Sequence, residues 1–110
     1  MDFTRSIEIH VDTLAQLRAA AADIQLVDIR EDWERAVCLI AGSIEIAMAT
    51  LPGALDRLDP DRPVVTLCHH GVRSLRAAAW LRQQGFVQAV SLAGGIDAWA
   101  RQVDPAMARY

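Results

Sequence analysis

Residues 64–81 read VVTLCHHGVRSLRAAAWL, and at the centre of this stretch a cysteine, two histidines, a glycine and an arginine follow one another as Cys68, His69, His70, Gly71 and Arg73. A β-branched apolar run stops at the cysteine and an alanine-rich helical run follows, so Cys68 is expected at the mouth of a strand-loop-helix unit. A helix opening at Ser74 would turn unpaired backbone N–H groups and the positive end of its dipole toward the loop, and Arg73 would add a full charge. Both favour a thiolate, and a thiolate in an anion-binding cradle is a nucleophile. Gly71 is expected to take a positive φ that turns successive N–H groups inward as an anion nest.

Other readings of the same residues are blander. A cysteine is often a small hydrophobe at the end of a core strand. The coincidence of strand end, glycine loop, arginine and helix start argues against that for Cys68. It is the expected reading for Cys38, which lies in the apolar run Ala36-Val37-Cys38-Leu39-Ile40 with no loop cradle beside it. A Cys-His-His metal site is not expected, because three adjacent residues converge poorly on one ion and only His10 and Cys38 remain as additional soft ligands. His69 and His70 fit a general acid or base and an exposed pocket border equally well.

The elements that would position this loop follow from periodicity. Ile7–Ile9 reads as a strand, and Asp12 as the N-cap of a helix with Leu14, Leu17 and Ala21 on one face. Leu26–Ile29 reads as a second strand, Asp32–Arg35 as a helical turn, Ile44–Ile46 as a third strand and Pro52–Leu58 as a helix with proline in its first turn. After the turn Asp59–Pro63, Val64–Leu67 lacks polar alternation, as a central parallel strand covered on both faces does. The helix from Ser74 carries Ala77, Ala78 and Leu81 as an apolar stripe and ends near Gly85, a left-handed stop. Ala89–Leu92 is the last strand, Gly94-Gly95 a turn, and Ile96–Arg101 the last helix before the tail QVDPAMARY. This alternation predicts an α/β fold: a central parallel sheet of about five strands, helices on both faces, and a site at the carboxyl ends of the strands. Cys68 lies at such an end.

Composition bounds the function. At 110 residues the chain is expected to form one domain, 1–110, able to bury about two-thirds of its unfolded surface without staples. A net charge of -3 gives no reason to expect a nucleic-acid or anionic-membrane partner. All 11 basic side chains besides histidine are arginines, a chain-wide bias that no single site would demand. The start MDFTRSIEIH has no apolar core of the secretory kind, and Val37–Leu51 is interrupted by Gly42, Ser43 and Glu45, too short to span a bilayer. A cytoplasmic protein with two free thiols is the expectation.

Four segments, in order, resemble the single-domain rhodaneses, the sulfurtransferase fold, over nearly the whole length. Val27-Asp28-Ile29-Arg30-Glu31 is similar to that family's aspartate-x-arginine strand end, Ile40–Ile46 to its following turn into a strand, Cys68–Ser74 to its active-site loop, and Leu92-Ala93-Gly94-Gly95-Ile96-Asp97-Ala98-Trp99 to its closing glycine-tryptophan motif. The resemblance implies that Cys68 carries a sulfane sulfur as a persulfide, held by the backbone amides of His69, His70, Gly71, Val72, Arg73 and Ser74 and by the Arg73 charge. Asp28 and Arg30 would brace the neighbouring loop. It implies a donor such as thiosulfate or a protein persulfide, a thiol or cyanide acceptor, and no metal or organic cofactor. Leu39 and Ala41 depart from the histidine and proline that family members often carry in this turn.

Two rivals remain. Cell-cycle dual-specificity phosphatases share the fold but place five residues between cysteine and arginine, whereas Cys68 and Arg73 enclose only His69, His70, Gly71 and Val72, a ring better suited to one sulfur atom than to a phosphoryl group. Phosphatase or arsenate-reductase chemistry is thus the weaker alternative. A protein-to-protein sulfur relay or interaction module of low turnover is the other.

Overall fold

The computed structural model describes Met1–Tyr110. Along the chain come β1 (Glu8–Ile9), α1 (Val11–Ala19), β2 (Gln25–Asp28), α2 (Asp32–Val37), β3 (Ile44–Glu45), two short 3-10 turns (Leu51–Gly53 and Leu55–Arg57), β4 (Val64–Leu67), α3 (Val72–Gln83), β5 (Ala89–Leu92) and α4 (Gly95–Gln102). The five strands form one sheet in the order β1-β5-β4-β2-β3, every neighbouring pair parallel. This is the α/β arrangement with a five-stranded parallel sheet that the sequence predicts. No helix is long and apolar enough to cross a membrane.

The central strands show why polar alternation is missing from Val64–Leu67. Alternate β4 side chains enter two separate cores: Val65 and Leu67 pack with Leu14 of α1 and with Ile96 and Trp99 of α4, while Val64 and Cys68 pack with Ala77, Ala78 and Leu81 of α3. Both faces are covered, so both must be apolar. Cys68 therefore continues the α3-facing series. The small Ala77 and Ala78, both buried, let α3 lie close to the strands beneath it.

Several boundaries differ from the sequence expectation, each for a local reason. α3 begins at Val72, two residues before Ser74, because Gly71 caps it in a left-handed conformation at φ +103°. α1 is capped by His10, and the Asp12 carboxylate accepts the Thr13 N–H from inside the first turn. The segment expected as one helix over Pro52–Leu58 is a pair of 3-10 turns that meet at Ala54. Gly85 does stand just past the end of α3 with φ +99°.

Candidate active site

The loop between β4 and α3 wraps around one sulfur atom. Cys68 Sγ accepts the N–H of Gly71 at 3.1 Å and that of Ser74 at 3.3 Å, and lies 3.3 Å from the Ser74 hydroxyl. That hydroxyl is 2.7 Å from Ser91 Oγ on the adjacent strand β5. The Cys68 thiol donates to Ser74 Oγ; with the sulfur deprotonated and Ser91 donating to Ser74, the Ser74 proton would turn to the sulfur and join the two amides as a donor. The Thr66 hydroxyl donates to the Ser74 carbonyl at 2.8 Å and fixes the first turn of α3 to β4. Of the loop amides predicted to face the sulfur, those of Gly71 and Ser74 bond it directly. Cys68 is 1% exposed, at the bottom of its cradle.

A second element holds the loop from behind. The first amides of α4 donate to loop carbonyls, Ile96 to Cys68 at 2.9 Å and Asp97 to His69 at 3.1 Å. So close an approach leaves no room for a side chain at Gly95, where a Cβ would stand 2.5 Å from the Cys68 oxygen and 2.4 Å from that of His69. The glycine-tryptophan segment read from the sequence thus acts at the site through backbone contact.

The Arg73 guanidinium hydrogen-bonds Glu34 rather than the sulfur. It forms a two-pronged pair with Glu34 of α2, at 2.8 Å and 2.7 Å. Glu34 is buried, also accepts the Glu31 N–H at 2.9 Å, and receives the Tyr110 hydroxyl at 2.9 Å. The Arg73 hydrogen bonds hold the Glu34 carboxyl at about 2 against the burial that would raise it. The same bonds, with a smaller contribution from the charge of Cys68, raise Arg73 above its ordinary value.

Asp28 and Arg30 form a fully buried ion pair, with Nη2 to Oδ2 at 2.7 Å and Nε to Oδ1 at 2.9 Å. Burial opposes the Arg30 charge, and the hydrogen bonds to Asp28 and Tyr110 outweigh it, so the guanidinium stays protonated. It spends its remaining donors on the Cys38 carbonyl at 2.7 Å, the Glu34 carbonyl at 3.3 Å and the Tyr110 hydroxyl at 3.1 Å. The pair ties the end of β2 to the middle and the C-cap of α2. Cys38 is half-buried, packed against the core on the α1 and α4 side of the sheet, with its Sγ 3.9 Å from Arg30 Nη1.

His69 and His70 stack on each other, ring centroids 3.9 Å apart and planes 28° from parallel. With Asp97 they form the chain's cluster of potential metal ligands. One ligand atom from each lies within 4.8 Å of the others, but the two imidazoles are stacked and the Asp97 carboxylate is already occupied by Arg101 and Arg109, each at 3.0 Å. The donor set does not fit an ion. Burial, with the nearby charge of His70, lowers His69 below the ordinary histidine value.

Glu34, Ser91 and Tyr110 complete the site, and the sequence reading did not single them out. Glu34 carried a faint signal, since it stands three residues after Glu31 at the start of a helix, the capping-box spacing that the structure shows. Ser91 and Tyr110 carried none, because they meet the loop only through the tertiary fold.

Comparison with known proteins agrees with this geometry. The family described as rhodanese-like domain matches residues 11–102. A sulfurtransferase from Allochromatium vinosum is 40% identical over 101 residues, 92% of this chain and 94% of that one. Thiosulfate sulfurtransferase GlpE of Pseudomonas aeruginosa is 41% identical over 95 residues, 86% of this chain and 84% of the relative. Among solved structures, a rhodanese-like domain protein from Staphylococcus aureus superposes with a TM-score of 0.81 at 29% identity, covering 94% of this chain and 97% of the other. With the parallel sheet, the sulfur-centred loop and the α4 clamp all in place, the chain belongs to the rhodanese-like domain family.

Proposed function

We propose that this rhodanese-type sulfurtransferase moves a sulfane sulfur from a donor such as thiosulfate to cyanide or a cellular thiol, through a persulfide on Cys68. The observation that carries the reading is the convergence of the Gly71 and Ser74 amides on one sulfur atom at 3.1 Å and 3.3 Å, with the Ser74 hydroxyl 3.3 Å away and able to donate once the sulfur is deprotonated. Such donors stabilise negative charge without reorganising during the reaction.

In the first half-reaction the Cys68 thiolate attacks the outer sulfur of thiosulfate. The new S–S bond forms as the donor's S–S bond breaks, and the electron pair leaves with sulfite. In the second, the acceptor attacks the outer sulfur of the persulfide, the enzyme S–S bond breaks, and its electron pair returns to Cys68. With cyanide the product is thiocyanate. The two steps balance without an external oxidant or reductant, and the Gly71 and Ser74 donors remain in place for the returning thiolate. His69, His70, Val72 and Arg73 line the approach in this reading, and Asp28 with Arg30 braces the neighbouring α2. The free thiols of Cys38 and Cys68 fit a cytoplasmic setting.

The short interval from Cys68 to Arg73 favours sulfur over phosphoryl chemistry. One observation favours a protein-borne donor or acceptor as a second reading: Val72, in the loop's own helix start, is 65% exposed, and Trp33, edge-on to Tyr110, is 63% exposed. In this second reading the two side chains would be contact points for that partner. Thiocyanate formation from thiosulfate and cyanide, followed over both concentrations, tests the proposal. Parallel double-reciprocal lines are expected for the two-step transfer. Absence of thiocyanate, with release of phosphate from an aryl phosphate instead, would assign the loop to the phosphatase class.

A further inference from the structure

Tyr110 lies beyond the matched residues 11–102, yet it touches the site at two points. Its hydroxyl donates to Glu34 Oε1 at 2.9 Å and accepts from Arg30 Nη1 at 3.1 Å, which links the ion pair of Arg30 to that of Arg73. Its ring stacks on His69, the residue after Cys68, with centroids 3.9 Å apart and planes 14° from parallel. The segment that brings it there is anchored to α4, by the Val103 and Asp104 amides on the Trp99 carbonyl at 2.8 Å and 2.9 Å and by Arg109 on Asp97.

We propose that Tyr110 is a positioning residue of the sulfur-transfer site, whose hydroxyl fixes the Glu34–Arg73 pair and whose ring fixes His69, so that the mouth above Cys68 is preformed for an anionic donor. The proposal rests on the sulfurtransferase reading. Glu34 Oε1 accepts from both Arg73 Nη2 and Tyr110, so the phenol restricts the carboxylate and, through it, the guanidinium. Burial, reinforced by Glu34 and opposed by Arg30, pushes the Tyr110 hydroxyl up to about 12, and it remains a donor across the neutral range. The stack also closes over His69 Nε2, which is buried without a hydrogen-bond partner. His70, Asp97 and Glu34 are the charged or titratable groups that act on His69 there.

Two single-site variants separate the functions of ring and hydroxyl. Tyr110→Phe keeps the stack and removes the phenol oxygen. The KM for thiosulfate is expected to rise about five-fold at nearly unchanged kcat, the equivalent of one net hydrogen bond of about 1 kcal/mol. Tyr110→Ala removes the ring as well: KM rises further, and the NMR titration of the His69 ring, assigned with a His69→Gln variant, moves up toward the ordinary value while that of Tyr110→Phe stays low. A role confined to stability would instead lower kcat with the active fraction and leave KM alone. That result, or unchanged KM in both variants, overturns the proposal. The His69 titration needs no turnover. A wild-type protein that transfers no sulfur refutes the functional reading by itself, and an unmoved His69 titration in Tyr110→Ala refutes the positioning role by itself.

Discussion

Arg73 and Glu34 face each other across the space between α3 and α2 in a two-pronged ion pair, with the Glu34 side chain 4% exposed and that of Arg73 37% exposed. The positive charge of the loop is therefore already partnered, and the sulfur of Cys68 rests chiefly on uncharged donors. Removing one member leaves the other without its match. Arg73→Ala is expected to destabilise the fold by about 1–3 kcal/mol, because a buried carboxylate loses its two best donors. Arg73→Lys keeps the charge but not the planar fork and should recover only part of that loss. Urea unfolding of both variants, and of Arg73→Ala combined with Glu34→Gln, checks this: the double variant should be more stable than Arg73→Ala alone.

The same pair gives stability a defined acid limit. Glu34 ionises at about 2 in the fold against an ordinary 4.5, so the unfolded chain takes up its proton first as pH falls. The contribution is fully present above about 4.5 and is lost as pH falls toward 2. Wild type should therefore lose stability more steeply across this window than Glu34→Gln, which has no carboxyl to protonate at that position. Asp2 and Asp97 are lowered as well, but they are common to both proteins and cancel in the comparison. Thermal unfolding of the two proteins at a series of acid pH values reads the difference, and parallel curves would contradict the assignment.

Ser74 offers the cradle its one side-chain donor. Ser74→Ala should lower kcat for thiosulfate by about 10–100-fold, below the usual loss for an oxyanion-type donor because the Gly71 and Ser74 amides remain. Ser91→Ala, which disturbs only the orientation of the Ser74 hydroxyl, should cost less. Equal activity in wild type and Ser74→Ala would show that the hydroxyl at 3.3 Å does not act on the sulfur.

The α4 clamp is tested at Gly95. Gly95→Ala would drive a methyl group into the Cys68 and His69 carbonyls and should either displace the loop or unfold the chain. Gly71→Ala meets nothing closer than the Gly94 nitrogen at 3.2 Å, but it must hold a left-handed backbone, a cost of about 1–3 kcal/mol. Denaturant midpoints should rank wild type above Gly71→Ala and Gly71→Ala above Gly95→Ala. The reverse order of the two variants would remove backbone contact as the reason for the glycine.

Much of the fold was readable because its signals are local. An apolar run between turn residues marks β4, a stripe of small residues marks α3, and a glycine between cysteine and arginine marks a left-handed position. The element boundaries shifted where geometry overrode the usual signals: Gly71 lets α3 start two residues before Ser74, and the chain over 51–58 tightens into 3-10 turns. The site was legible only in its loop. Glu34 is 39 positions from Arg73, and Tyr110 is 76 from Glu34 and 80 from Arg30, distances at which no periodicity connects the partners. The expectation that the Arg73 charge helps to hold the sulfur did not include its partner Glu34, for the same reason.

Sulfur transfer at this site requires Cys68 Sγ to be the atom that receives the sulfur. Intact-protein mass spectrometry of wild type, Cys68→Ala and Cys38→Ala after incubation with thiosulfate, before and after addition of cyanide, measures this directly. Wild type and Cys38→Ala should each gain the mass of one sulfur atom and lose it to cyanide, while Cys68→Ala gains none. A cyanide-reversible sulfur on Cys68→Ala, or none on wild type, would contradict the central claim.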